Sequence, residues 1–161
     1  MPANRETITV RSINERDADA LFDLAANIPP LTPHSWYTYW NVASNFGGSC
    51  FITEADDEPV GFITSHPTTT HPRERFLWQL GLLPEYRGRG FAAWLQDRVV
   101  ATARDAGAVA IRTTIEADNP RSLKSFERMA TRLGTTLEEK GRFTPRGSEV
   151  PEVLYRMSID R

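Results

Sequence analysis

The chain has 161 residues, 40% apolar and 25% charged, with a formal net charge of −2. That length suits one domain, residues 1–161, able to bury roughly 70% of its unfolded surface, and the near-neutral charge argues against nucleic acid or an acidic membrane as partner. Cys50 is the only cysteine, which excludes an internal disulfide. No stretch approaches the ~18 apolar residues of a membrane span, and MPANRETITVRS has no signal-peptide core, so a cytoplasmic location is expected.

Thr7 to Arg11 alternates as a short strand. Asn14 is placed to cap a helix with Ala18, Leu21, Phe22, Leu24 and Ala25 on one face, stopped by Pro29-Pro30. His34 to Phe46 forms a second, aromatic-rich helix ending at Gly47-Gly48. Cys50 to Glu54 and Val60 to Ser65 are strands joined through Ala-Asp-Asp-Glu-Pro, a hairpin signal. His66 to Arg73 is a loop, and Arg75 to Leu83 the third strand of a meander. After Arg87-Gly88-Arg89-Gly90, the spacing of Phe91, Leu95, Val99 and Thr102 predicts a helix closed at Gly107. Val109 to Ile115 alternates as a strand. Asn119-Pro120 starts a helix with Leu123, Phe126, Met129, Ala130 and Leu133 inward, ended by Gly134. Thr135 to Lys140 and Val150 to Ile159 complete the chain as a strand pair. The fold class is α/β, one mixed sheet covered by helices, in the order β-α-α-β-β-β-α-β-α-β-β.

Two arginines and two glycines in four positions suit neither the strand before them nor the helix after them. A helix opening there leaves up to four N–H groups without intrahelical partners, at the positive end of the helix dipole. Gly88 and Gly90 take side chains out of the way of a phosphate, and Arg87 and Arg89 add charge-assisted bonds. Taken alone, the tetrapeptide also suits a surface turn or a basic RNA-binding fragment. It is not the dinucleotide fingerprint, whose third glycine is replaced by Ala93, nor a Walker sequence.

In context, Arg87-Gly88-Arg89-Gly90-Phe91-Ala92 resembles the Arg/Gln-x-x-Gly-x-Gly/Ala segment of the GCN5-related N-acetyltransferases, and it lies between the fourth strand and the third helix as in that family. The resemblance implies acetyl-coenzyme A as co-substrate, with its pyrophosphate on these N–H groups. It further implies that the strand Gln79-Leu80-Gly81-Leu82 bonds the pantetheine arm, in a slot made by a splay between that strand and Val109–Ile115. Asn119 and Ser122 match the family's second coenzyme-contacting segment. The backbone N–H of Leu80 or Leu82 would be the oxyanion donor. The family's acid tyrosine falls at Phe126, which has no proton to give.

A narrower resemblance covers FLWQLGLLPEYRGRGFA, RTTIEADNPRSLKSFERMA and PEVLYRM, which look like the L-2,4-diaminobutyrate acetyltransferases. It implies a small primary amine, amino-acid-like, as acceptor. Thr32 and His34 fall where that group has Leu-Asp-x-Asn-Ser, and Tyr37, Tyr39 and Trp78 join them as candidates for the acceptor side. Glu149-Val150 stands where that group has a His-Glu pair, while Glu152 persists. Thr32 replaces an acidic residue that would suit a second ammonium, so diaminobutyrate is expected to be a poorer acceptor than a related monoamine unless Glu149 or Glu152 replaces the lost partner. Trp78 on a central strand also suits the core, and Tyr37 and Tyr39, two apart on a helix, cannot face the same way. Glu152 and Glu116 are the candidate general bases, and most such carboxylates are plain surface. His66 and His71 have no ligand-like company, so no metal is expected. A homodimer is compatible with all of this. The competing functions are acetylation of a protein N-terminus or lysine, and a non-catalytic acyl-coenzyme A-binding module.

Overall fold

In a computed structural model, which describes residues 5–160, the order is β1 (Ile8–Ser12), α1 (Ala18–Asn27), α2 (Trp36–Phe46), β2 (Phe51–Ala55), β3 (Glu58–Pro67), β4 (Glu74–Leu82), α3 (Phe91–Asp105), β5 (Ala110–Glu116), α4 (Pro120–Arg132), β6 (Glu138–Phe143) and β7 (Glu152–Ser158). It matches the expected order element for element. The strands form one mixed sheet, β1-β2-β3-β4-β5-β7-β6. β4 and β5 run parallel, paired over Glu74–Leu77 and Ala110–Thr113. The β1·β2, β2·β3, β5·β7 and β6·β7 ladders are antiparallel.

Local chemistry sets the boundaries. Asn14 accepts the Arg16 N–H at 3.0 Å while Asp17 accepts the Asn14 N–H at 2.8 Å, a reciprocal cap that leads through a 3-10 turn into α1. α2 begins at Trp36 rather than His34, because Ser35 stays extended and caps it through the Thr38 N–H at 3.2 Å. Asp56 and Asp57 take φ of 48° and 68°, the left-handed pair that a two-residue hairpin needs. Asp56 also anchors the chain before β1: Thr7 N–H donates to its Oδ1 at 2.8 Å and its own N–H donates to the Thr7 carbonyl at 2.8 Å. The second tail strand of the sequence reading holds as β7, but the first begins at Glu138 rather than Thr135. The Thr135 N–H is taken by the Ala130 carbonyl at 3.0 Å, next to Gly134 at φ 68°, so these residues terminate α4 instead.

The chain divides into two compact units, one running to Thr64 and including Gln79–Val99, the other Ser65–Trp78 with the residues from Val100 onward. In the first, Leu21, Tyr39, Phe51, Ile52, Phe62, Ile63 and Leu95 are fully buried; in the second, Leu77, Ile111, Met129, Met157 and Ile159. Among the described residues no helix is long and apolar enough to cross a membrane.

Gly81 has a packing reason to lack a side chain. A Cβ there would lie 2.8 Å from Leu31 Cδ1 and 3.1 Å from Ile28 Cδ1, so any side chain at this position makes those methyl groups of the α1–α2 connection shift. Gly81→Ala is expected to lower stability by about 1–3 kcal/mol, read as a lower urea midpoint at constant slope. An unchanged midpoint would show that the connection has room to spare.

Candidate functional site

β4 ends at Leu82, and Pro84–Tyr86 make a single 3-10 turn, with Arg87 N–H on the Pro84 carbonyl at 3.2 Å. Gly88 and Gly90 follow at φ of 72° and 87°, a backbone that residues with a Cβ adopt only at a cost. The Gly90 carbonyl accepts the Trp94 N–H at 3.1 Å, the first bond of α3. The N–H groups of Phe91, Ala92 and Ala93 therefore have no acceptor within the helix. A Cβ built on Gly88 or Gly90 meets nothing within 4 Å. The left-handed turn demands glycine, and the space before it is open. Converging N–H groups, a helix dipole and an open front fit a phosphate.

The two motif arginines differ. Arg87 Nη2 donates to the Pro29 carbonyl at 2.8 Å and so holds the α1–α2 connection. Arg89 Nη2 lies 2.6 Å from Glu6 Oε2, and its Cζ is 5.1 Å from the ring centroids of both Tyr86 and Phe91.

Two bonds fix the direction of the β4 N–H groups. Gln79 N–H donates to Thr64 Oγ1 at 3.1 Å, and Leu83 N–H to the Val60 carbonyl at 2.9 Å, both on β3. Strand alternation then turns the N–H groups of Leu80 and Leu82 to the opposite edge. Their orientation makes them donors to an extended chain laid along that edge.

Of the acceptor-side candidates, Tyr39 is fully buried and Tyr37 is 67% exposed, stacked on Trp40 at 5.5 Å. Tyr39 Oη accepts the His34 N–H at 3.3 Å and donates to Gln79 Oε1 at 3.2 Å. Burial raises the Tyr39 pKa above its ordinary value, opposed by the bonds from His34 and to Gln79, so the phenol stays protonated. Thr32 and His34 are exposed, and Trp78 is half-buried. On β4, Trp78 shares the face of Phe76 and Leu80, opposite that of Gln79.

In the second unit, Asn119 Oδ1 accepts the Ser122 N–H at 3.1 Å and caps α4, so those two residues serve each other as well as any ligand. Glu116 and Glu152 stand directly opposite across the β5·β7 ladder, which puts both carboxylates on one face. Burial raises the Glu152 pKa, a hydrogen bond with Thr114 opposes this, and the charge of Glu116 adds to the rise. On the same face, two pairs further along, Arg112 opposes Arg156, with the Glu74 carboxylate between them at 3.3 and 2.6 Å. Phe126 is buried, 3% exposed. Among the described residues no cluster of three His, Cys, Asp or Glu side chains is placed to hold a metal.

Thr114, Tyr86 and Glu6 escaped the sequence reading, and Gln79 entered it only through its backbone, although a lone Gln between Trp78 and Leu80 on an apolar strand is a visible signal for a side-chain role. Glu6 gives none, since its partner lies 83 positions away.

A family model, Acetyltransferase (GNAT) family, matches residues 16–130. The chain is similar to an L-2,4-diaminobutyric acid acetyltransferase of Streptomyces avermitilis, 36% identical over 88% of this chain and 82% of that protein. It is also similar to one of Halomonas elongata, 31% identical over 92% and 79%. Its fold is like that of the diaminobutyrate acetyltransferase EctA from Paenibacillus lautus, solved with L-2,4-diaminobutyric acid and coenzyme A, at a TM-score of 0.88 and 23% identity over 95% of both chains. Fold, glycine turn and relatives define an enzyme that transfers acyl groups. The chain belongs to the GNAT acetyltransferase family, and it is an N-acetyltransferase of the acetyl-coenzyme A-dependent class.

Where the family places an acid tyrosine, Phe126 is core. Phe126→Leu is expected to cost about 1 kcal/mol of stability and to leave the alkaline limb of the pH–rate profile in place. Disappearance of a titrating step would mean that Phe126 supports an acid not yet identified.

Proposed function

We propose that the enzyme acetylates a primary amine of a small amino acid related to 2,4-diaminobutyrate, by direct attack in a ternary complex. The 36% relative over most of both chains carries this proposal. The coenzyme is held at Gly88, Arg89, Gly90, Phe91 and Ala92, with Arg87 bracing the turn through Pro29. Leu80, Gly81 and Leu82 supply the backbone edge for its arm, and Asn119 and Ser122 a second contact. Bound acetyl-coenzyme A supplies a thioester carbonyl and a thiolate leaving group.

An alkyl ammonium with a pKa near ~10 must lose a proton before it can attack. Glu152 is the proposed base: burial raises its pKa towards working pH, where a base accepts protons most effectively. Glu116, opposite it, keeps that pKa up by like-charge repulsion. The N–H of Leu80 or Leu82 meets the negative charge that develops on the carbonyl oxygen, a contribution of about 3 kcal/mol. Water returns the last proton, since Phe126 has none to give.

On the acceptor side, His34, Tyr39 and Gln79 form a connected polar chain that suits recognition of the acceptor's polar end. Tyr37, which faces away from Tyr39, and Trp78, on the face of β4 opposite Gln79, stand outside this chain. Thr32 is exposed and offers a hydroxyl, which cannot neutralise a second ammonium. Unless Glu149 or Glu152 replaces the lost acidic partner, the preferred acceptor is a monoamine analogue, or an amine with an added polar group, over diaminobutyrate itself.

Acetyl-coenzyme A at about 100 times its dissociation constant should stabilise the fold by roughly 2.7 kcal/mol, and Gly90→Asp should abolish the shift; a shift retained in that variant would remove the turn from the coenzyme site. Glu152→Gln should lower kcat by about 10²-fold or more. Glu116→Gln, by removing a like charge, eases ionisation of Glu152 and should move the acid limb of kcat/KM to lower pH. A limb that stays put would dismiss the pair. In one pot with diaminobutyrate, ornithine, lysine and monoamino analogues, mass spectrometry should show a monoamine ahead. Diaminobutyrate ahead by more than about tenfold, 1.4 kcal/mol, would contradict the role given to Thr32.

A further inference from the structure

Arg89 stands between the two left-handed glycines of the turn, and a carboxylate already occupies it. Glu6 Oε2 lies 2.6 Å from Arg89 Nη2, and Glu6 Oε1 accepts the Tyr86 hydroxyl at 2.9 Å. The guanidinium is further fixed over Tyr86 and Phe91, each ring centroid 5.1 Å from Cζ. Both anchors of Glu6 thus come from the segment that joins β4 to α3. The residue after Glu6 is tied to the β2–β3 hairpin by the two 2.8 Å bonds between Thr7 and Asp56, so the carboxylate is presented from a fixed strand end. Arg87 Nη2 is bonded to the Pro29 carbonyl.

We propose that Glu6 is a built-in counter-ion of the coenzyme site, which holds Arg89 until a phosphate oxygen of the coenzyme replaces it. The proposal rests on the assignment of the Arg-Gly turn to the coenzyme. A carboxylate oxygen and a phosphate oxygen are both anionic acceptors for a guanidinium N–H, so a phosphate oxygen can take the place of Glu6 Oε2 on Arg89 Nη2. A phosphate that takes Arg89 Nη2 must compete Glu6 away from it, which lowers the apparent affinity by the fraction of molecules with that donor released. Tyr86 and Phe91 stay against the guanidinium during the exchange and keep it aimed at the turn. The bonds from Arg89 and then Tyr86 hold the Glu6 carboxyl below its usual range, and the same contact raises Tyr86.

The test is calorimetric titration of the full chain with coenzyme A, with pantetheine as the phosphate-free control. Glu6→Gln should bind coenzyme A about tenfold tighter and pantetheine unchanged. Glu85→Gln removes an equal charge beside the turn without touching Arg89, and should tighten coenzyme A far less. In the wild type, carbon-13 NMR of the Glu6 carboxyl should show its pKa rising towards the ordinary carboxylate range once coenzyme A saturates the protein. Equal effects of Glu6→Gln and Glu85→Gln, weaker binding by Glu6→Gln, or a Glu6 pKa that stays low in the complex would each overturn the counter-ion role while leaving the coenzyme site standing. No binding of coenzyme A to the wild type would overturn both.

Discussion

The backbone at Gly88 and Gly90 is the constraint on which the rest depends. With φ of 72° and 87°, the chain reverses from β4 into α3 in a few residues, and the first N–H groups of α3 are left pointing outward with no helix carbonyl to meet them. Among the described residues, a Cβ added at either glycine would meet no atom within 4 Å. Upstream, the same run fixes β4 against β3 through Gln79 and Leu83, which turns Leu80 and Leu82 to the other edge. One local geometry thus supplies both an anion cradle and a row of backbone donors leading up to it.

Within each unit, charge is handled by pairing. Arg87 braces the α1–α2 connection, Arg89 is matched by Glu6, and Arg112 and Arg156 share Glu74. Glu116 and Glu152 are the exception, two carboxylates directly opposed on adjacent strands. Like charges so placed are normally avoided because they destabilise the ladder. In the proposed reaction, the raised Glu152 carboxyl would suit taking a proton from an ammonium. The buried Tyr39 to Gln79 bond is a polar contact in an otherwise apolar setting, worth its desolvation if it orients a ligand.

Much of this was legible in the sequence because the signals are local. Glycine before a helix, Asn119-Pro120 and the alternating strands each follow from a few adjacent residues, and the element order came out complete. Boundaries slipped where a side chain or a cap decided them: Ser35 delayed α2, and the termination of α4 at Gly134 pushed β6 to Glu138. The site was legible on the coenzyme side, where a contiguous motif carries it. It was poorly legible elsewhere. The opposition of Glu116 to Glu152 depends on strand register, and the hold of Glu6 on Arg89 spans most of the first unit's sequence. No local pattern encodes either. Gly81 was read as a backbone contact for the coenzyme, and its closeness to Leu31 and Ile28 adds a packing role that only tertiary structure reveals.

The central claim is that the N–H groups after Gly90 receive the coenzyme's phosphates. Amide proton and nitrogen NMR shifts of Gly88 to Ala93, followed during titration with coenzyme A and separately with pantetheine, test it most directly. Large downfield shifts at Gly90, Phe91 and Ala92 with coenzyme A, absent with pantetheine, are the predicted result. Unmoved amides in that turn, with the largest changes at residues remote from it, would contradict the account.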